Sequence, residues 1–387
     1  MGALLLALIY VCFISLGLPD SLLGSAWPVL HAEINVPVSF AGIVSTIISV
    51  GTIVSSLLSD RLVRRWGAGK ITAVSIALTA VALFGFSISG EFWMLVLWAI
   101  PYGLGAGGVD AVLNNYVALH YKSQHMSWLH CFWGVGASIS PYIMSFALIK
   151  LEDWSVGYLI VSLIQVVLSV FIFLSLPLWK KGMNEKENGE TAAGRKSLSF
   201  RQIIQVPGAM ACFILFFGYC ALEMTTSLWA SSYLVDARGV EPEIASAFAS
   251  LFYIGITVGR GINGFLAMKF ADRTLIRTGL AIIGIGVLLL ILPLSDIVAL
   301  IGFVVIGLGC APVYPCIIHM TPDLFGKERS QSMIGIQMAA AYSGFCLIPP
   351  LVGVIADHIG IYLLPLCLLT LLTLIVTMHE IVVKKTK

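Results

Sequence analysis

The chain has 387 residues, 59% of them hydrophobic and 11% charged, with a formal net charge of +2. Soluble domains carry about 25% charged residues, so a water-soluble fold would have too few polar groups to cover its cores. The near-neutral balance gives no general attraction to nucleic acid.

In chain order, apolar segments fall at 3–31, 38–58, 70–89, 92–118, 126–148, 155–178, 205–234, 243–268, 275–293, 297–319, 330–355 and 360–382. Crossing about 30 Å of hydrocarbon takes about 20 apolar residues, so these predict twelve transmembrane helices. The first reads as a span rather than a cleavable signal: it lacks a basic leader and outruns the roughly 7–15 apolar residues of such a segment. Residues 179–204 contain KKGMNEKENGETAAGRKS and read as a polar, aromatic-free linker. They divide an N-terminal bundle of six spans, 1–178, from a C-terminal bundle of six, 205–387.

With both termini placed in the cytosol, the 22 Lys and Arg sort sharply. Lys150 and Arg238 fall outside and Arg260 within a span, while the other nineteen face inward. This is the positive-inside pattern. The eight cysteines all lie in spans and read as small packing residues.

Four charges lie inside spans: Asp20, Asp110, Glu223 and Arg260. Each costs about 2.5–3.5 kcal/mol on insertion scales and normally faces a cavity or a partner. Asp20 stands in GLPDSLLGSAW, where Pro19 and Gly24 predict a bend in span 1; Trp27 follows. Asp110 is about 12 Å from the cytosolic end of span 4, with Asn114 one turn on and on the same face. A carboxyl in such surroundings suits proton pick-up and release; its structural alternatives are an interhelical hydrogen bond for Asp110 and a helix cap for Asp20. Glu223 and Arg260 read either as a buried ion pair or as substrate groups, with Asn263 one turn from Arg260 and Trp229 after Glu223. His130 and His319 near cytosolic span ends suit proton relay or plain hydrogen bonding. Gln165 and Gln337 suit hydroxyl recognition. Trp27 and Trp229 suit stacking on the apolar face of a cargo.

The halves echo each other. Asp20 and Trp27 correspond to Glu223 and Trp229, at offsets of 203 and 202. Gly103 and Gly105 match Gly307 and Gly309 at 204, while Gly136 and Pro141 match Gly344 and Pro349 at 208. LSDRLVRR after span 2 is echoed by FADRTLIR after span 8. The order indicates a six-helix unit present twice in parallel.

SLLSDRLVRRWG, residues 56–67, resembles the loop between helices 2 and 3 of the major facilitator superfamily, with Ser59 in place of the family glycine. WLHCFWGVGASISP, residues 128–141, is similar to the Leu-His-x-x-Phe-Gly-x-Gly pattern of fucose permease-like sugar transporters, with Trp133 before Gly134. The resemblance implies an all-α membrane protein: twelve transmembrane helices in two pseudo-symmetric six-helix bundles around a central cavity. Family carboxylates in helices 1 and 4 match Asp20 and Asp110, which implies proton coupling. It also implies a cytosolic gate built from Asp60, Arg61 and Arg65, and from Asp272 and Arg273.

The expectation is a secondary active, proton-coupled sugar symporter working by alternating access, with sodium as the second candidate ion. Asn114, Trp27, His130, Gln165, Glu223, Trp229, Arg260, Asn263 and Gln337 are the candidate substrate residues. No resident cofactor or metal is expected. The chain is expected as a monomer in the bilayer of a bacterial inner or plasma membrane, with both termini cytosolic. The alternative is a proton-coupled exporter of drugs or amphipathic metabolites; a non-transporting sensor is a third reading. The chain carries no Gly-x4-Gly-Lys-Ser/Thr loop, His-Glu-x-x-His helix or Gly-x-Ser-x-Gly elbow, so neither ATP use nor an enzyme is expected.

Overall fold

Hydrocarbon offers the backbone no hydrogen-bond partners, so an apolar span must satisfy its own N–H and C=O groups as a helix. The computed structural model describes residues 2–37, 40–184, 200–240, 242–292 and 295–386, and these are helical almost throughout. The first half contains α1 (Gly2–Asp20), α2 (Leu22–Glu33), α3 (Phe40–Trp66), α4 (Ala68–Ser87), α5 (Phe92–His120), α6 (Ser123–Lys150) and α7 (Trp154–Asn184). The second contains a short α8 (Phe200–Ile204), α9 (Ala209–Ser232) with a π-helical turn at Tyr233–Ala237, α10 (Pro242–Leu266) and α11 (Asp272–Ile291). It continues with α12 (Asp296–Cys310), α13 (Val313–Phe325), α14 (Ser330–His358), a 3-10 turn at Ile361–Leu363 and α15 (Leu364–Lys385). Among the described residues, eleven helical segments are long and apolar enough to cross a membrane, and a shorter apolar helix, Leu251–Leu266, lies in the eighth expected span. Most of the expected linker, residues 185–199, lies outside the described residues.

Two spans are broken. The first parts at Ser21, just after Pro19, where a bend was expected. The tenth, expected to be continuous, parts at Ala311–Pro312. Pro312 has no N–H for the Leu308 carbonyl, which takes the Ala311 N–H at 3.3 Å instead.

The glycine echoes are contacts. Between apolar helices in lipid, close approach over small residues replaces the hydrophobic drive. A methyl on Gly103 would sit 2.2 Å from the Ile48 carbonyl oxygen, and one on Gly307 2.5 Å from that of Phe252. A methyl on Gly105 would meet the Ser75 carbonyl oxygen at 2.6 Å, and one on Gly309 that of Gly279 at 2.7 Å. The glycine and the residue it meets are both displaced by the same 204 positions in each case. The repeat is therefore a repeat of backbone-to-backbone seams.

The chain forms two compact units, one of residues 1–116 with 132–197 and the other of 117–131 with 198–387. The first has its core around Trp27, Leu30, Phe86, Trp154 and Tyr158. In the second, α9 packs along α14 and α15, and α12 along α10 and α11. The hairpin at 117–131, drawn from the ends of α5 and α6, belongs to the second unit although it precedes the linker. Polar bonds hold it there, with the Trp128 indole lying against Gly264. Leu174, Ile149 and Phe265 are among many exposed large apolar side chains, a surface suited to lipid and a liability in water.

Candidate functional site

The break in the first span builds a site from the backbone outward. Pro19 supplies no N–H to the Ser15 carbonyl four residues back. Gln165 fills that gap: its Nε2 donates to the Ser15 carbonyl at 2.6 Å, and its Oε1 accepts from Ser15 Oγ at 2.8 Å. Both ends of this amide thus repair the bend. A cavity of about 10 Å³ lined by Ser15, Thr79, Tyr102 and Gln165 lies beside it, about the room one water needs.

Asp20 is the last residue before the break, and its side chain is exposed. Tyr102 donates its hydroxyl to Oδ1 at 3.1 Å, and Trp133 donates Nε1–H to Oδ2 at 2.8 Å. Trp133 reaches it because α1 and α6 cross closely: a methyl on Gly17 would be 2.1 Å from the Trp133 carbonyl oxygen, and one on Gly136 2.0 Å from that of Ile14. Among the described residues, no Lys, Arg or His is within ion-pair distance of Asp20. Asp20 makes no capping bond, since the turn at Ser21 is bound through Ser21 Oγ to the Ala137 carbonyl at 2.7 Å.

Asp110 is buried, and Asn114 donates to its Oδ1 at 2.8 Å and to its backbone carbonyl at 3.0 Å. The expected shared face is therefore a bond. Trp27 lies in the core of the first unit rather than on an open wall.

In the second unit the corresponding carboxylate has different company. Glu223 Oε1 is 3.5 Å from Arg260 Nη2, and Oε2 accepts from the Tyr219 hydroxyl at 2.6 Å. That hydroxyl is also 2.9 Å from the Cys310 carbonyl, at the break in the tenth span. The Arg260 guanidinium sits 5.9 Å over the Tyr314 ring, which the His130 ring meets edge-on at 4.7 Å and the Phe216 ring at 4.7 Å. Asn263 donates to Ser127 Oγ at 2.7 Å. Gln337 is fully buried, with Thr321 and Cys212 bonded to its amide. Trp229 donates to the Pro349 carbonyl at 2.9 Å and lies against Gly353.

The two Asp-Arg loops also differ. Asp60 accepts from Arg64, one turn on, at 3.0 and 3.1 Å, whereas Arg61 and Arg65 are exposed, with Arg65 5.7 Å over the Trp66 ring. Asp272 accepts from Ser123 and faces His319 Nδ1 at 2.6 Å, and Arg273 is half-buried. Tyr219, Ser123 and Tyr121 were outside the expected site, and Tyr102 enters it as a hydrogen-bond donor rather than a stacking ring; such hydroxyls and carbonyls leave no trace in hydropathy.

The Major Facilitator Superfamily model matches residues 9–248 and again 211–385. The chain belongs to that superfamily. Among curated members it is similar to "Bypass of stop codon protein 6" of Saccharomyces cerevisiae, at 24% identity over 387 residues, covering 92% of this chain and 78% of that one. It is also similar to the glucose/mannose transporter GlcP of Bacillus subtilis, at 20% identity, covering 89% and 86%. Among solved structures it superposes on the major facilitator FucP in its outward conformation with a TM-score of 0.81 at 15% identity, covering 97% of both chains. FucP is the E. coli fucose:proton symporter. This superfamily is one of transporters, not enzymes, and the twelve-helix reading is that of its fold.

Proposed function

We propose that this superfamily member moves a sugar together with a proton by alternating access, and that Asp20 carries the proton. The observation that supports this is an acid at a helix break, held by two hydrogen-bond donors and, among the described residues, no cation. As a carboxylate, Asp20 accepts from both partners. When a proton arrives, one oxygen must become a donor. The indole N–H can only donate, whereas a phenol can turn and accept. The proton therefore settles on Oδ1, facing Tyr102, and Trp133 stays in place. Neutralising the acid removes a cost of about 2.5–3.5 kcal/mol for charge held within the membrane, so the loaded carrier changes state more easily than the empty, ionised one. The proton is driven by about 2.3 kcal/mol per 100 mV. Asp110, bonded to Asn114, is the second coupling group in this reading. Trp133, half-buried beside Asp20, is the stacking surface for the sugar ring.

Sugar as the cargo draws support from the names of GlcP and FucP and from the indole beside the acid. The distribution of Lys and Arg supports a plasma-membrane orientation with both termini cytosolic. In proteoliposomes, Asp20→Asn is expected to abolish accumulation of labelled monosaccharide driven by a proton gradient while sparing counterflow exchange. Unchanged concentrative uptake by that variant would remove Asp20 from the mechanism. Proton-driven export of cationic dyes, with no sugar movement by the unaltered protein, would replace the symport reading by the exporter one.

A further inference from the structure

At the head of α11, Asp272 sits in the first turn behind Ala271, a residue whose side chain cannot cap the helix. Its Oδ1 accepts the Ser123 hydroxyl, and its Oδ2 lies 2.6 Å from His319 Nδ1 on α13. The other ring nitrogen, Nε2, lies 3.2 Å from the Tyr121 carbonyl oxygen. Both acceptors carry no hydrogen. A neutral imidazole has one N–H and can satisfy one of them, whereas an imidazolium has two and satisfies both. The geometry therefore fits the charged ring.

Tyr121 and Ser123 flank the turn between α5 and α6, so the ring joins three pieces of chain: the hairpin at 117–131, α11 and α13. Other ties of the hairpin are Ser127 to Asn263, Trp128 against Gly264 and the His130 ring edge-on to Tyr314; the last carries a second histidine, so variants at His319 are needed to separate the clasp from it. The charged and titratable groups around the ring are Asp272 from α11, Tyr121 and Lys122 from the hairpin, and Asp323 and Lys327 from α13 and the loop after it. The Cys316 thiol lies beside Asp272. The cluster forms one wall of an open recess of about 430 Å³, which gives water and protons access.

We propose that His319 is a proton-operated clasp: its imidazolium fastens the 117–131 hairpin to α11 and α13, and loss of one ring proton unfastens it. The clasp stands on this geometry and not on the symport reading. Combined with that reading, it gives an importer of protons that holds its own hairpin shut as the cytosol acidifies.

The sign is fixed by the donors. Both bonds are present when the ring is charged at lower pH, and one is lost as pH rises and the ring becomes neutral. Hydrogen–deuterium exchange of the purified full chain in lipid nanodiscs, without substrate and corrected for the intrinsic rate, reads this directly. Between about pH 6 and about pH 8.5, values that bracket an ordinary histidine, protection of amides in 117–131 is expected to fall roughly tenfold, the worth of one hydrogen bond to a charged group. Protection elsewhere stays level. His319→Gln should show the low value at both pH values, and His319→Lys, which keeps a charged donor toward Asp272, a high value at both. Equal protection of the unaltered protein at the two pH values overturns the clasp, as does full protection in His319→Gln. Should the Gln variant fail to fold, the unaltered protein and the Lys variant still decide. Since no sugar is present, failure of sugar uptake leaves this result standing, and flat exchange leaves symport standing.

Discussion

Asp20 and Glu223 occupy the same place in the two halves of the chain, on the first helix of each repeat. Each accepts from a tyrosine hydroxyl, Tyr102 in one case and Tyr219 in the other. Beyond that they part. Glu223 faces the buried Arg260, whereas Asp20 faces the indole of Trp133. The buried guanidinium makes Glu223 one half of an ion pair. The indole gives Asp20 a hydrogen bond and no countercharge. Duplication supplied two acids at one position, and the proposed division between holding and switching follows from the partner that each one faces.

The largest break in that comparison is Glu223→Gln, which strands Arg260 as a buried charge. A loss of about 3–5 kcal/mol is expected, as for breaking a buried pair, read as a fall in the thermal unfolding midpoint in detergent. Adding Arg260→Met should recover most of it. Asp20→Asn, which leaves no charge behind, should shift stability by about 1 kcal/mol or less in the same measurement. Equal losses from the two single variants would erase the distinction.

Next is Gly136→Val. With the Ile14 carbonyl 2.0 Å from the first added carbon, α1 and α6 must part, at about 1–3 kcal/mol. Trp133 should leave Asp20, visible as a red shift in indole emission and loss of accumulation together. Gly344→Val, whose added carbon would meet the Phe217 carbonyl at 2.4 Å in the second half, should cost similar stability without disturbing Trp133. The smallest effect expected is that of Tyr102→Phe. It removes the hydroxyl that can reverse direction while keeping the ring, so proton-driven uptake should slow about tenfold, near the worth of one charged hydrogen bond, with counterflow unchanged. Tyr219→Phe should leave the two rates in their original ratio.

Hydropathy reports what lipid demands of a helix, so the spans, their order and the two-fold echo were readable from residues alone. Gly103 and Gly307 were legible even as contacts, because a bare backbone position repeated at one offset is what a close helix seam, present twice, requires. Partners across helices were not. Gln165 reads as a group for a sugar hydroxyl until the carbonyl orphaned by Pro19, 150 residues earlier, is brought beside it. Asp60 takes Arg64 instead of the adjacent Arg61 because residues four apart share a helical face. Which way a side chain faces depends on the rotation of each helix about its axis, and apolar composition is nearly blind to that rotation. The break at Pro312 had a visible cause, but prolines are common within spans: α5, α6 and α7 each run straight through one.

The interruption of the tenth span leaves α13 a separate rod of 13 residues. Tyr314, under the Arg260 guanidinium, is near its head, and His319, against Asp272, stands five positions along. At 1.5 Å per residue the two positions are about 7.5 Å apart along the axis of one stiff shaft. The Tyr219 hydroxyl bonds the Cys310 carbonyl at the near end of this shaft. A tilt imposed at the arginine would reach the histidine through the shaft itself, with no relay of side chains.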